Sequence, residues 1–191
     1  MEKVDIIELI KYRRSVYPRQ YNGKKIEDNV VKELLETANW APTHKYTEPW
    51  RFKVYTGEAL EKLISFQKQL YMDTTLPDDI KETKLQVFDD IPSQTSHIVA
   101  IIMERNPIVP EMEEIASVAM AVQNLWLATT AYGYGGYWST GGGTFSTKMH
   151  RWLELNEENE TLMGFFYMGV PSEALPKGTR RSAIESKVEW M

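Results

Sequence analysis

The feature that most constrains this chain is the junction at residue 133. Ile115, Val118, Ala119, Val122, Leu125, Trp126 and Thr129 recur at helical spacing, which predicts a helix over Glu113 to Tyr132. Ala116, Ala119, Ala121 and Ala128 let neighbouring elements come close to it. Gly133 stops it, as glycine does at helix C-termini. Over the next stretch, Gly133 to Gly143, six of eleven residues are glycine. A long, apolar central helix therefore runs into a strand, Tyr134 to Thr140, whose backbone other groups can approach closely.

The rest of the chain falls around this pair. Val4, Ile7, Leu9 and Ile10 predict a short helix over residues 3–12, and Pro18 lies beyond its end. Val30, Val31, Leu34, Leu35 and Ala38 predict a second helix from Asp28 to Asn39, closed by Pro42. Trp50, Phe52 and Val54 alternate with polar neighbours, so Trp50 to Thr56 reads as a strand. Gly57 to Tyr71 reads as helix, and residues 72–96 as loop, short helix and loop around Pro77 and Pro92. His97 to Glu104 is a continuous apolar run that suits a strand buried on both faces. Phe145 to Leu155 reads as helix, Leu162 to Val170 as strand, and the remainder as an extended tail. Helices and strands alternate, and the few strands beside one long helix favour an α+β class in a single domain over residues 1–191.

Composition narrows the function. With 22 Lys+Arg against 27 Asp+Glu, the net charge of −5 opposes a general nucleic-acid binder. The absence of cysteine excludes disulfides, thiolate zinc sites, cysteine nucleophiles and iron–sulfur clusters. The apolar run Ile98 to Met103 is too short to span a bilayer, and the charged first residues lack a signal-peptide core. A cytoplasmic protein with no nucleic-acid or membrane partner is expected. His44, His97 and His150 lie far apart in sequence, without metal-ligand spacing. No P-loop occurs, and the run from Gly133 fails the dinucleotide fingerprint because its sixth position is Trp138. There is no Gly-x-Ser-x-Gly elbow.

Three segments can still carry chemistry. Arg13-Arg14-Ser15 follows the first helix. Two guanidiniums and a hydroxyl can grip a phosphate, or can equally form a solvated end that complements the helix dipole. In Trp40-Ala41-Pro42-Thr43-His44, with Pro49 and Trp50 beyond, two prolines fix a loop. That loop can present Thr43 and His44 to a ligand, or can simply pack its tryptophans. Trp138-Ser139-Thr140-Gly141 lies at the heart of the glycine-rich stretch, where backbone amides are available to a ligand or a bulged strand turns. Lys177-Gly178-Thr179-Arg180-Arg181 is a weaker candidate to complete a phosphate site.

In this order, the segments resemble the nitroreductase family of FMN enzymes, in the form of its small, minimal branch. The likeness includes Glu48-Pro49-Trp50 at the opening of a strand, Gln123-Asn124-Leu125 within the long helix, Gly169-Val170-Pro171 after the last core strand, and Val188-Glu189-Trp190 near the end. It extends over nearly the whole chain. It implies a central mixed sheet flanked by helices with a long central helix, in an intertwined homodimer with FMN at the interface. Carried over by position, Arg13 and Ser15 hold the FMN phosphate and ribityl chain, with Arg14 beside them. Trp40, Thr43 and His44 belong to the loop that reaches the flavin of the partner subunit. Trp138 and Ser139 line the strand beside the flavin, Thr140 and Gly141 place N–H groups near flavin N5, and Arg180 and Arg181 form the basic pair near the phosphate. No protein nucleophile is implied, because flavin N5 carries the chemistry between NADH or NADPH and a nitroaromatic, quinone or related small-molecule acceptor. A non-catalytic FMN store or redox sensor of the same fold is the alternative. The chain departs from the family at Tyr17, where a basic residue is common and Arg19 follows two positions on, and at Glu48, where glutamine is common. No lysine between residues 57 and 90 matches the one that larger members place near the flavin pyrimidine.

Overall fold

The computed structural model describes residues 6–175 and 178–191; the start of the 3–12 helix, including Val4, and Lys177 lie outside them. Four strands form one sheet in the order β1-β2-β4-β3: β1 Trp50–Tyr55, β2 His97–Glu104, β3 Gly135–Ser139 and β4 Glu160–Gly169. All three ladders are antiparallel. The expected mixed sheet is met only at a single parallel bridge, Ser15 to Gly136. Helical connections carry the chain between strands, yet each pair ends up antiparallel, so the described chain contains no parallel crossover unit.

The apolar run of β2 works as its composition suggests. Ile98, Ala100 and Ile102 point to one face, Val99, Ile101 and Met103 to the other, and both faces are buried. The first face packs against α3 (Gly57–Thr74), α4 (Glu82–Gln94) and α6 (Thr147–Trp152) through Leu60, Leu63, Phe88, Ile91 and Met149. The second packs against α2 (Asp28–Ala38) and α5 (Glu111–Ala131) through Leu34, Val118, Val122 and Leu125. The sheet is thus sandwiched between two helical layers, with Phe165 and Phe166 of β4 filling opposite sides.

Three expectations are corrected. Residues 72–96 hold more helix than their prolines suggest: α3 runs on to Thr74, and α4 spans thirteen residues with Pro92 inside it. Pro92 lies in the last turns, where it removes one backbone hydrogen bond while buried Phe88 and Ile91 anchor the helix. In α1 (Ile6–Tyr12) only Leu9 is buried, and Ile6, Ile7 and Ile10 are exposed. On α5, Ile115 faces outward with Met112 and Met120 rather than joining the core, because the helix is apolar on more than the side its own sheet covers.

A buried polar tie fastens α2 to β2. The His97 ring nitrogens lie 2.9 Å from Ser96 Oγ and 3.0 Å from Asp28 Oδ1, and Ser96 Oγ accepts the Ile26 N–H at 2.7 Å. In a neutral imidazole, Nε2–H donates to Asp28 and Nδ1 accepts from Ser96. Burial lowers the His97 pKa, outweighing Asp28, which raises it. The folded state therefore favours neutral imidazole. This stability is present above the ordinary histidine pKa of ~6.5 and is lost as pH falls through the depressed folded value. The melting temperature of the wild type is expected to drop further than that of His97→Gln between about pH 7.5 and pH 5. Equal drops would show that protonation of His97 does not weaken the fold.

Candidate active site

The phosphate candidate forms where α1 ends. Ser15 bridges Gly136, and the Val16 N–H donates to the Gly136 carbonyl at 3.0 Å, so residues 13–16 lie alongside β3. The Arg13 guanidinium lies 4.4 Å above the Trp126 ring. Arg14 Nη1 donates to the Arg13 carbonyl at 2.6 Å. Gly178 brings the tail against Arg14: a Cβ there would fall 1.8 Å from the guanidinium carbon. Arg180 approaches the same cluster. Burial, then Arg14, then Arg180 pull the Arg13 pKa below its ordinary value, although an arginine stays charged.

Among the described residues no carboxylate pairs with Arg13, Arg14, Arg180 or Arg181. Arg13 Nη1 and Arg14 Nε are buried with no hydrogen-bond partner. Buried donors of this kind are costly unless a ligand satisfies them. Cations gathered without an anion and with unmet donors have the chemistry of a phosphomonoester site.

The glycine-rich turn is shaped by its neighbours. β4 bulges between Leu162 and Gly164, opposite the Ile101–Ile102 step of β2. Gly164, at φ +131°, allows this: a Cβ would lie 2.5 Å from the Ser139 carbonyl and 2.6 Å from Trp138 Nε1. Trp138 Nε1–H donates to the Met163 carbonyl at 3.1 Å, so this residue is fixed beside the bulge. Ser139 Oγ accepts the Gly141 N–H at 3.0 Å, so the Gly141 amide is engaged within the turn. Thr140 is exposed at the end of β3.

Two hollows meet at this turn. One, of about 330 Å³, lies under α4 and is lined by Tyr17, Arg19, Gln67, Lys84, Phe88 and Tyr137, among others. The other, of about 590 Å³ and more open, is lined by Trp126, Trp138, Thr140 and others. Lys84, Tyr137, Ser139 and Gly141 border both. Pro18 turns the chain so that Arg19 comes back over the Tyr17 ring at 5.8 Å, and Tyr17 packs on Tyr137 with centroids 4.5 Å apart. Gln67 is buried, and its Nε2 has no partner. The Tyr167 hydroxyl approaches Gln67 Oε1 at 3.4 Å, and burial raises the Tyr167 pKa.

Ser15 pairs with Gly136, so Arg13 and Arg14 stand beside the start of β3, with Arg180 near enough to act on the Arg13 charge. Trp138, Ser139, Thr140 and Gly141 instead form the other end of the strand and the turn beyond it. Exposed Arg181 follows Arg180 in the tail, and none of these arginines lines either hollow. Trp40, Thr43 and His44 border neither hollow. Trp40 is 80% exposed. His44 Nδ1 sits 3.0 Å from Glu113 Oε2, and Thr43 Oγ1 accepts the Glu48 N–H at 3.1 Å. This loop is conformationally strained, with φ of +50° at Lys45, +54° at Tyr46 and +42° at Glu48.

The residues that sequence reasoning missed are Lys84, Gln67, Tyr137 and Trp126 as site residues. Lys84 had a signal: with Phe88 and Ile91 it forms an i, i+4, i+7 stripe, placing a cation on an apolar helix face. Reading residues 72–96 as mostly loop concealed that stripe. Gln67 had none, since its burial depends on Gly142 lying over it.

A family model, the Nitroreductase family, matches residues 10–170. The Bacillus subtilis protein YfhC, provisionally named an NAD(P)H nitroreductase, is 28% identical over 191 residues, covering 96% of this chain and 93% of its own. A nitroreductase-like family protein from Bacillus cereus superposes with a TM-score of 0.84 at 27% identity, over 100% of this chain and 98% of that one. A provisionally assigned nitroreductase from Desulfovibrio desulfuricans, solved in complex with FMN, has the same fold, with a TM-score of 0.77 at 20% identity over 99% of this chain and 98% of that one. Because the family model spans most of the chain, the protein belongs to the nitroreductase family.

Proposed function

We propose that this protein is an FMN-dependent NAD(P)H oxidoreductase that reduces nitroaromatic, quinone or related small acceptors. The observation that carries this reading is the set of buried, unmet guanidinium donors on Arg13 and Arg14, with Arg13 stacked on Trp126, whose ring lines the open hollow bordering the Trp138–Gly141 turn. The FMN complex of the Desulfovibrio protein and the NAD(P)H in the name of YfhC support it.

In this reading Arg13, Arg14 and Arg180 hold the FMN phosphate, with Ser15 at the ribityl chain and Arg181 nearby. Trp138, Ser139, Thr140 and Gly141 would line the FMN ring. When bound, FMN supplies the redox chemistry, accepting hydride from NAD(P)H and passing reducing equivalents to the acceptor. Lys84 and Arg19 place positive charge in the hollow under α4, where they stabilise negative charge that grows on a bound ring. Gln67 offers an amide donor beneath the same turn. No side chain is needed as nucleophile.

The site is completed by a second copy of the chain. Ile6, Ile7 and Ile10 on α1, Met112, Ile115 and Met120 on α5, and Trp190 and Met191 of the tail are exposed together with Trp40. Apolar surface on this scale marks an interface. The strained Trp40–Glu48 loop, remote from its own hollows, then reaches the flavin of the partner subunit with Trp40, Thr43 and His44.

Flavin absorption bands are expected to stay with the purified protein through desalting, and NAD(P)H is expected to be consumed when an acceptor is added. Bound FMN without NAD(P)H oxidation would instead indicate a storage or sensing protein. A protein that takes up no FMN would end the flavin reading. Arg13→Ala is expected to weaken FMN binding by about 1.5–3 kcal/mol, the range for a charge-assisted contact. Unchanged affinity in a folded variant would remove Arg13 from the site.

A further inference from the structure

Among the described residues nothing anionic holds Arg13 in place. Its neighbours Arg14 and Arg180 repel it, and burial works against its charge. One side chain opposes all three effects. The face of Trp126 lies 4.4 Å from the Arg13 guanidinium carbon, within the range of a cation–π contact. The indole N–H of the same residue donates to the Arg14 carbonyl at 3.2 Å. Trp126 therefore touches both successive arginines, one through its π face and the other through its donor.

The ring itself is fixed. Phe166 meets it edge-on, with centroids 5.5 Å apart and planes at 77°. Gly136 leaves it room, since a Cβ there would lie 3.0 Å from Trp126 Cδ1 and Nε1. A carboxylate could orient Arg13 as well, but it would neutralise the charge that a phosphate needs. An aromatic face holds the cation and leaves its positive charge available to an incoming dianion.

We infer that Trp126 is the positioning residue of the phosphate grip, and that it sets this chain's preference for a flavin bearing a phosphomonoester over the same flavin without one. The inference rests on the FMN reading above. It places the discrimination in the α5 ring as much as in the arginines that touch the ligand.

The test is to titrate the full-length, flavin-stripped wild type, Trp126→Leu and Trp126→Phe with FMN and with riboflavin, following flavin fluorescence. Because Trp126 also lines the open hollow, the reading is the ratio of the two affinities: Trp126→Leu is expected to weaken FMN roughly 3- to 30-fold more than it weakens riboflavin, the reach of a cation–π contact. Trp126→Phe keeps an aromatic face and loses the N–H donor, so its loss of preference for FMN is expected to be smaller. This variant preserves the comparison if the leucine variant does not fold. Parallel loss of both flavins would mean that Trp126 supports the fold or the ring rather than the phosphate, and would overturn the inference. Unchanged FMN affinity in both variants would overturn it as well, leaving the family reading intact. A wild type that binds neither flavin would remove the FMN reading and this inference together.

Discussion

The geometry of the site depends on how closely residues 13–21 approach β3 and β4. Two glycines permit it. A Cβ at Gly135 would lie 2.7 Å from the Tyr21 ring and 2.9 Å from Val16, and one at Gly169 would lie 2.4 Å from Tyr21. Tyr21 fills the space they leave, with its hydroxyl 2.6 Å from the Val16 carbonyl and 3.1 Å from the Tyr167 carbonyl. Burial raises the Tyr21 pKa well above its ordinary value, so the phenol stays protonated and donates. This wedge holds the Arg13–Ser15 segment against the edge strand of the sheet, beside Gly136 and the Trp126 ring.

Polar and apolar requirements are met separately along the chain. The β2–β4 pair is buried on both faces, and the site lies along β3, the edge strand of the sheet. There the structure accepts features that would be costly in its core. Donors on Arg13, Arg14 and Gln67 lack partners, and the β4 bulge carries Gly164 at positive φ; away from this edge, three non-glycine residues of the 44–48 loop also have left-handed backbone. Such concentrations belong to sites that a ligand or a partner completes.

Much of the fold was legible because its signals are local. The apolar run of β2 and the spacing of Val31, Leu34 and Ala38 in α2 depend only on periodicity, and Gly133 marks the end of α5 within two residues. The phosphate segment was legible as a motif through Arg13, Arg14 and Ser15. What was not legible depends on distant approach. The outward turn of Ile115 reflects how much of α5 its own sheet covers, and the roles of Lys84 and Gln67 depend on α3 and α4 folding over the glycine turn. Pro92 concealed α4, because a proline near a helix end removes one backbone hydrogen bond and leaves the packing of Phe88 and Ile91 intact. The engagement of the Gly141 amide by Ser139 Oγ could not be read from spacing either, since it depends on a rotamer.

The most direct measurement is a crystal structure of the protein grown with FMN. The phosphate should lie among Arg13, Arg14 and Arg180, satisfying Arg13 Nη1 and Arg14 Nε. The ring should lie along Trp138 to Gly141, with the Trp40–His44 loop of a second copy over it. A phosphate bound elsewhere, or a ring enclosed by one chain alone, would contradict the site described here.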